Sequence, residues 1–250
     1  MTSVRNSPPV TRRDTTNRSA NGTGRCQSEG VTPSSPARQI VLLDLDGTLS
    51  ESEPGILGSL TTALDSLSIA APPYDVMRHA IGPPFEIGLP EIGIPVEHVP
   101  AVITAYREVY EQTGLFETLV YEGIVEMLDG LADAGLTLCV ATSKPEPSAR
   151  RVIDHLGLTS YFKVIGGATH DPSRRTKAAV IGHVLDQLGV TGGPELIMVG
   201  DRHHDIEGAA AHGIDTIAVA WGYGDRAEHE AAGAWAIAET PPDVVRLVTS

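Results

Sequence analysis

Cysteine is scarce in this chain of 250 residues. Cys26 and Cys139 are the only two and sit in unlike surroundings, which excludes a disulfide framework and suits a reducing cytoplasm. Long apolar runs are also missing. None approaches the roughly 18–20 residues that a bilayer-spanning helix needs, and Met1 to Thr11 lacks the apolar segment of a secretory signal. The chain is therefore expected in the cytoplasm, with no membrane partner. No repeat of roughly 20–50 residues is visible, which argues against a solenoid.

Basic residues are outnumbered, and the formal net charge is −14. Residues 1–38 run the other way: six arginines against Asp14 and Glu29 give +4, which leaves −18 on the remainder. So acidic a body argues against nucleic acid as a partner. Residues 1–38 contain no aromatic residue and few aliphatics. They cannot bury enough apolar area to offset the entropy of ordering, so a disordered tail is expected. A protein partner, if one binds, is expected to engage this tail.

From Gln39 the texture changes. Ile40-Val41-Leu42-Leu43 is a continuous aliphatic run, as expected of a strand buried on both faces. Similar runs recur at Leu136–Ala141, Leu196–Val199 and Ile214–Ala220, with a weaker one at Val164-Ile165. Helical patterns over Ile124–Asp133, Ser148–Leu156 and Lys177–Leu188 separate them. This alternation predicts a doubly wound parallel α/β sheet. Residues 54–122 break it. They show helical spacing at Ile56, Leu57, Leu60, Ala63, Leu64 and Leu67, and again at Val102, Ile103, Tyr106, Val109 and Tyr110, with no convincing strand. The expected division is a tail over 1–38, a core over 39–53 and 123–250, and an inserted helical cap over 54–122.

The strongest chemical signal is Asp44-Leu45-Asp46-Gly47-Thr48-Leu49, directly after the first aliphatic run. Ligands of open α/β sheets bind beyond the carboxyl ends of strands, and two carboxylates with a glycine for close backbone approach suit a metal and a phosphate there. Thr142-Ser143-Lys144 ends the second long run. The hydroxyl can donate to a phosphate oxygen, or serve as a helix N-cap before Pro145. Lys177 opens a helix. Gly200-Asp201-Arg202-His203-His204-Asp205 follows the run at Leu196–Val199, and its two carboxylates, four apart, are expected on one side of a helical turn.

These four motifs, in this order, resemble the haloacid dehalogenase superfamily, and within it the phosphoglycolate-phosphatase-like branch. The resemblance covers about residues 39–240. It implies a Rossmann-like core with a helical cap between the first two motifs, and a phosphatase acting on small phosphorylated metabolites. It also implies the roles. Asp44 would be the nucleophile that forms an aspartyl-phosphate, and Asp46 the general acid/base. Lys177 would neutralise charge. Thr142 and Ser143, with Gly47 and Thr48, would bind the substrate phosphate. Asp44, the Asp46 carbonyl, Asp201 and Asp205 would hold Mg²⁺. A hard, oxygen-preferring cation suits carboxylates crowded at one point, and a transferring phosphoryl group needs a cation clamp.

Details narrow the reaction. Asp46 argues against the dehalogenases of this superfamily, which lack it. The phosphonate-cleaving branch uses a cap lysine, and residues 49–143 contain none. Ser143 and Glu51 depart from the usual phosphoglycolate phosphatase pattern, which opens the substrate to nucleotide or sugar phosphates. The tail, the Thr142-Ser143-Lys144 string and the Trp221-Gly222-Tyr223-Gly224 loop also resemble the protein tyrosine kinases that mycobacteria build on this fold. No Gly-x-x-x-x-Gly-Lys-Ser/Thr loop and no protein-kinase motif set is present, so ATP use does not follow from the residues. A phosphosugar mutase is the other alternative.

Four features are set beside these. Gly82-Pro83-Pro84-Phe85 is either a specificity loop or a rigid turn between helices. Arg78 and Arg107, the arginines of residues 54–122, are candidate anion contacts. His203 and His204 are adjacent, so on a helix they point about 100° apart and are expected to share a metal poorly. The Trp221–Gly224 loop is expected near the site.

Overall fold

The chain enters its fold at β1 (Ile40–Leu43), turns, and leaves through a two-residue strand β2 (Ser50–Glu51). Four helices follow: α1 (Glu53–Ser66), α2 (Tyr74–Met77), α3 (Phe85–Glu91) and α4 (Val99–Gln112). Then β3 (Leu119–Val120) pairs antiparallel with β2 and returns the chain to the sheet. The rest alternates as α5 (Ile124–Asp133), β4 (Thr137–Pro145), α6 (Glu146–His155), β5 (Phe162–Ala168), α7 (Lys177–Leu188) and β6 (Leu196–Gly200). It ends with α8 (His203–Ala210), β7 (Asp215–Val219), α9 (Arg226–Ala232), β8 (Ala236–Ala238) and α10 (Pro241–Thr249). This computed structural model describes residues 38–169 and 171–250. The expected tail lies almost wholly outside the described residues, as does Cys26.

Six parallel strands form the main sheet in the order β5-β4-β1-β6-β7-β8. β1 lies inside it, with β4 on one edge and β6 on the other. Its aliphatic run serves both faces: Val41 and Leu43 join one buried cluster and Leu42 the other. That is the reason for a run without polar alternation. The second cluster includes Val180, Ile181, Val184 and Leu185 of α7, so the helix that begins at Lys177 is fixed against the sheet by its apolar face. Thr176 caps that helix, its side chain accepting from the Ala179 amide, and Gly189 ends it with φ +69°.

Several elements differ from the sequence reading. β4 runs on to Pro145 and takes Thr142, Ser143 and Lys144 into the strand. Thr142 is therefore no helix cap: α6 begins after Pro145, whose fixed φ suits the entry. β3 lies in the stretch read as strand-free, because two residues carry no periodicity. β8, Ala-Ile-Ala, is too small to stand out as an apolar run. Arg38, the last residue of the expected tail, is held by the core. It donates to the carbonyls of Pro194 and Leu196 and lies 2.6 Å from Asp215. No helix among the described residues is long and apolar enough to cross a membrane.

Candidate active site

The carboxyl ends of β1, β4 and β6 open on one cleft, to which α7 and α8 add their first turns. Asp44 follows β1 at once. Gly47 has φ +82°, and a Cβ there would lie 2.3 Å from Asp201 Oδ2, so only glycine lets the two loops meet. Asp201 follows β6, and Asp205 sits in the first turn of α8. The two carboxylates do meet, but not along a shared helical turn. Asp201 precedes the helix, and the extended Arg202 between them folds the chain so that Asp205 Oδ2 accepts from the Arg202 amide at 3.1 Å.

Lys177 Nζ lies 2.9 Å from Asp44 Oδ1 and 2.6 Å from Asp205 Oδ1, and donates to the Ala141 carbonyl at 3.0 Å. Neither carboxylate oxygen makes an aligned hydrogen bond, so these contacts are ion pairs. Asp201 is fully buried. Its Oδ1 accepts from Thr48 Oγ1 and its Oδ2 from the Tyr223 amide at 2.8 Å. Its carbonyl faces Nε2 of buried His229 at 2.7 Å.

Oxygens of Asp44, Asp201 and Asp205 all fall within 4.8 Å of one another. Burial pushes Asp44 up to about 6, with Lys177 opposing and Asp205 adding to the rise. Burial also holds Asp201 well above the usual carboxylate range, reinforced by Asp205 and Asp44. Lys177 moves up despite its own burial, because Asp205 and Asp44 favour its charge. Three buried carboxylates thus lie together with one ammonium, which pairs with Asp44 and Asp205. Two oxygens lacking aligned donors and an all-oxygen donor set fit a hard divalent cation, and the cluster can hold a metal.

Asp46 points elsewhere. Both of its carboxylate oxygens accept from Lys144 Nζ, at 2.7 and 2.6 Å. Thr142 and Ser143 line the cleft, and Thr142 Oγ1 accepts from the Lys144 amide. Gly47 and Thr48 are not among its lining residues; the Thr48 hydroxyl is spent on Asp201. The Trp221–Gly224 loop closes the floor: Trp221 Nε1 donates to the Thr48 carbonyl, and the Tyr223 hydroxyl accepts from the Ser52 amide.

The opposite wall comes from the helical segment. Ile81 to Glu86, Ile103, Tyr106, Arg107 and Tyr110 face the carboxylates. Phe85 packs edge-on against Tyr106 at 4.6 Å, and Tyr106 stacks on Tyr110 at 5.1 Å. The Gly82-Pro83-Pro84-Phe85 loop lines the cleft, and Arg202 Nη1 ties it to the core by donating to the Ile81 carbonyl at 2.5 Å. The two arginines separate: Arg78 pairs with Glu53 away from the cleft, while Arg107 lines it and is unpaired among the described residues. His203 and His204 do not splay as expected. Their ring centroids lie 3.8 Å apart, because imidazoles rotate about χ1 and χ2 toward each other, and with Glu207 they form a second possible ligand group. His203 Nδ1 is engaged by Glu228 at 2.7 Å.

Sequence reading gave no role to Lys144, Glu228 or His229. A signal for the first was present: the chain has three lysines, 144, 163 and 177, and two of them line this cleft.

The family model for haloacid dehalogenase-like hydrolases matches residues 41–219. The tyrosine-protein kinase PtkA of Mycobacterium tuberculosis is 45% identical over 201 residues, 80% of this chain and 66% of the kinase, just under two thirds of its length. A 5'-nucleotidase of Pseudomonas aeruginosa is 38% identical over 189 residues, 75% of this chain and 85% of that enzyme. The solved structure of a haloacid dehalogenase-like family hydrolase from Streptococcus pneumoniae superposes with a TM-score of 0.79 at 27% identity, covering 84% of this chain and 98% of that one.

Proposed function

Because the chain belongs to the haloacid dehalogenase-like hydrolase family, we propose that it is a Mg²⁺-dependent phosphatase of small phosphate monoesters, with Asp44 as nucleophile. The observation that carries this is the Asp44 carboxylate, 2.9 Å from Lys177 and beside Asp201 and Asp205, at the end of β1. Asp44, Asp201, Asp205 and the Asp46 carbonyl would hold the ion. Mg²⁺ there supplies positive charge to the transferring phosphoryl group.

The chain's own residues do the rest. An Asp44 oxygen attacks phosphorus, the bond to the leaving oxygen breaks, and Asp46 delivers a proton to that oxygen. Asp46 then takes a proton from water, the water oxygen attacks phosphorus, and the bond to Asp44 breaks to release phosphate. Lys177 holds Asp44 in place and offsets its charge. Thr142 and Ser143 bind phosphoryl oxygens. Residues 54–122 act as a cap whose apolar and aromatic wall keeps water from the reacting centre. That wall favours a substrate with a planar or apolar body, such as a nucleoside monophosphate, over phosphoglycolate; a sugar phosphate lies between.

The test is direct. Purified protein with Mg²⁺ hydrolyses p-nitrophenyl phosphate, and Asp44→Asn abolishes the activity. Full activity in that variant overturns the mechanism.

The 45% identity to a tyrosine-protein kinase favours a second reading, in which a tyrosine hydroxyl rather than water is the acceptor. Incubation with labelled ATP and a tyrosine-containing protein separates the two: label on tyrosine supports the kinase, and free phosphate alone the phosphatase.

A further inference from the structure

Lys144 is buried, its side chain 4% exposed, and its ammonium gives a hydrogen to each oxygen of Asp46. The same ammonium lies 5.2 Å from the centroid of the Tyr110 ring on α4. The contacts come from three parts of the chain: the end of β4, the loop after β1, and the helical wall. A buried ion pair contributes little net stability, since desolvation offsets most of the attraction. An ammonium is a compact charge with three rotatable donors, so it can hold two oxygens and still let one go. A cation over an aromatic face is favoured without a directed hydrogen bond, so Tyr110 steadies Lys144 without competing for its protons.

We propose that Lys144 is a positioning residue for Asp46. It holds the Asp46 carboxyl group in the cleft, facing the place where the leaving oxygen departs, and keeps one Asp46 oxygen when the other turns to the leaving group or to water. Lys144 does not touch phosphorus; Lys177 has that side of the site. The role follows from position. With both oxygens held by one ammonium, Asp46 is kept from swinging toward the Asp44, Asp201 and Asp205 cluster, and release of one of the two oxygens makes it available for proton transfer while the other stays anchored. The inference rests on the phosphatase reading for its chemistry.

The role predicts a split by leaving group. A p-nitrophenolate departs without a proton, whereas a benzyl alkoxide needs one. Since kcat/KM reports the steps up to phosphorylation of Asp44, it isolates proton delivery from the later attack by water. Lys144→Met should lower kcat/KM on benzyl phosphate by roughly 10²-fold, the scale of general acid catalysis, and on p-nitrophenyl phosphate by less than about fivefold. Asp46→Asn should show the same split, and adding Lys144→Met to it should widen the split no further. Equal losses on the two esters in a folded Lys144→Met variant overturn the proposal, because a purely structural role affects both alike.

A second measurement needs no activity. With three lysines in the chain, the ammonium ¹H–¹⁵N signals are few. Lys144 should give one that is protected from exchange in the full-length protein and lost in Asp46→Ala. Absence of protection in the wild type overturns the proposal whether or not Lys144→Met folds. Failure of the phosphatase reading looks different: the wild type then turns over neither ester while the ammonium signal is intact, which removes the reaction that Lys144 is proposed to serve.

Discussion

A Cβ on Gly222 would lie 2.3 Å from the Cβ of Asp201. The same added atom would be 2.5 Å from the Gly47 carbonyl. Gly222 thus lets the loop after β7 close on two motif loops at once. Gly222→Ala should push Asp201 out of line and cost about 1–3 kcal/mol, as overpacking does. Thermal denaturation with and without Mg²⁺ checks this: Tm falls, and the upward shift caused by the ion shrinks. An unchanged shift would mean that Asp201 is not needed for the ion.

Lys177→Met should remove the ammonium that pairs with Asp44 and Asp205 beside the third buried carboxylate, Asp201. We expect kcat on p-nitrophenyl phosphate to drop by roughly 10²-fold or more, as when a charge-stabilising group is lost. The variant should also be less stable at pH 7 than at pH 5, because protonation relieves the repulsion among Asp44, Asp201 and Asp205. Denaturant titrations at the two pH values test the sign.

Burial pushes Asp44 up to about 6 from an ordinary value of 3.8. The folded metal-free protein therefore binds this proton more tightly than the unfolded chain does. The stability that proton confers is complete below pH 3.8 and is lost as pH rises through about 6. Metal binding runs the opposite way, since the ligands must be ionised. Calorimetric titration should show Mg²⁺ affinity rising between pH 5 and pH 7. A pH-independent affinity would exclude Asp44 from the ligand set.

Arg107→Ala should raise KM about tenfold for a substrate with a second anionic group and leave kcat unchanged. Arg78→Ala should do neither, because the half-exposed Arg78 pairs with Glu53 outside the cleft. Steady-state kinetics on a panel of phosphorylated metabolites separates the two residues and ranks substrates at the same time.

Removal of residues 1–37 should leave kcat/KM on p-nitrophenyl phosphate unchanged. The cut has to stop there: Arg38→Ala removes contacts to Pro194, Leu196 and Asp215 and should lower Tm.

Much of the sheet was legible because its strands are buried on both faces and read as unbroken aliphatic runs. The helices Ile124–Asp133 and Lys177–Leu188 matched their apolar spacing residue for residue. Short elements were not legible: Leu119–Val120 and Ala236–Ala238 are strands because neighbouring chain offers hydrogen bonds, not because of their own pattern. The end of β4 was misplaced for a related reason. Pro145 signals a helix start locally, but pairing with β5 holds Thr142 in the sheet, with Gly167 as its partner.

The sequence by itself determined which residue types stand at which strand ends: Asp44 and Asp46 after β1, Thr142 following the apolar run of β4, Lys177 opening α7, Asp201 and Asp205 after β6. Spacing along the chain suffices for that, because strands and helices are set by patterns of a few residues. Only the tertiary structure decided how the charges pair. It put Lys177 against Asp44 and Asp205, gave Asp46 to Lys144 across 98 residues, and chose Arg107 over Arg78 for the cleft. Those contacts depend on strand order, loop closure and the facing helices, and no local pattern encodes the distance between side chains so far apart in sequence.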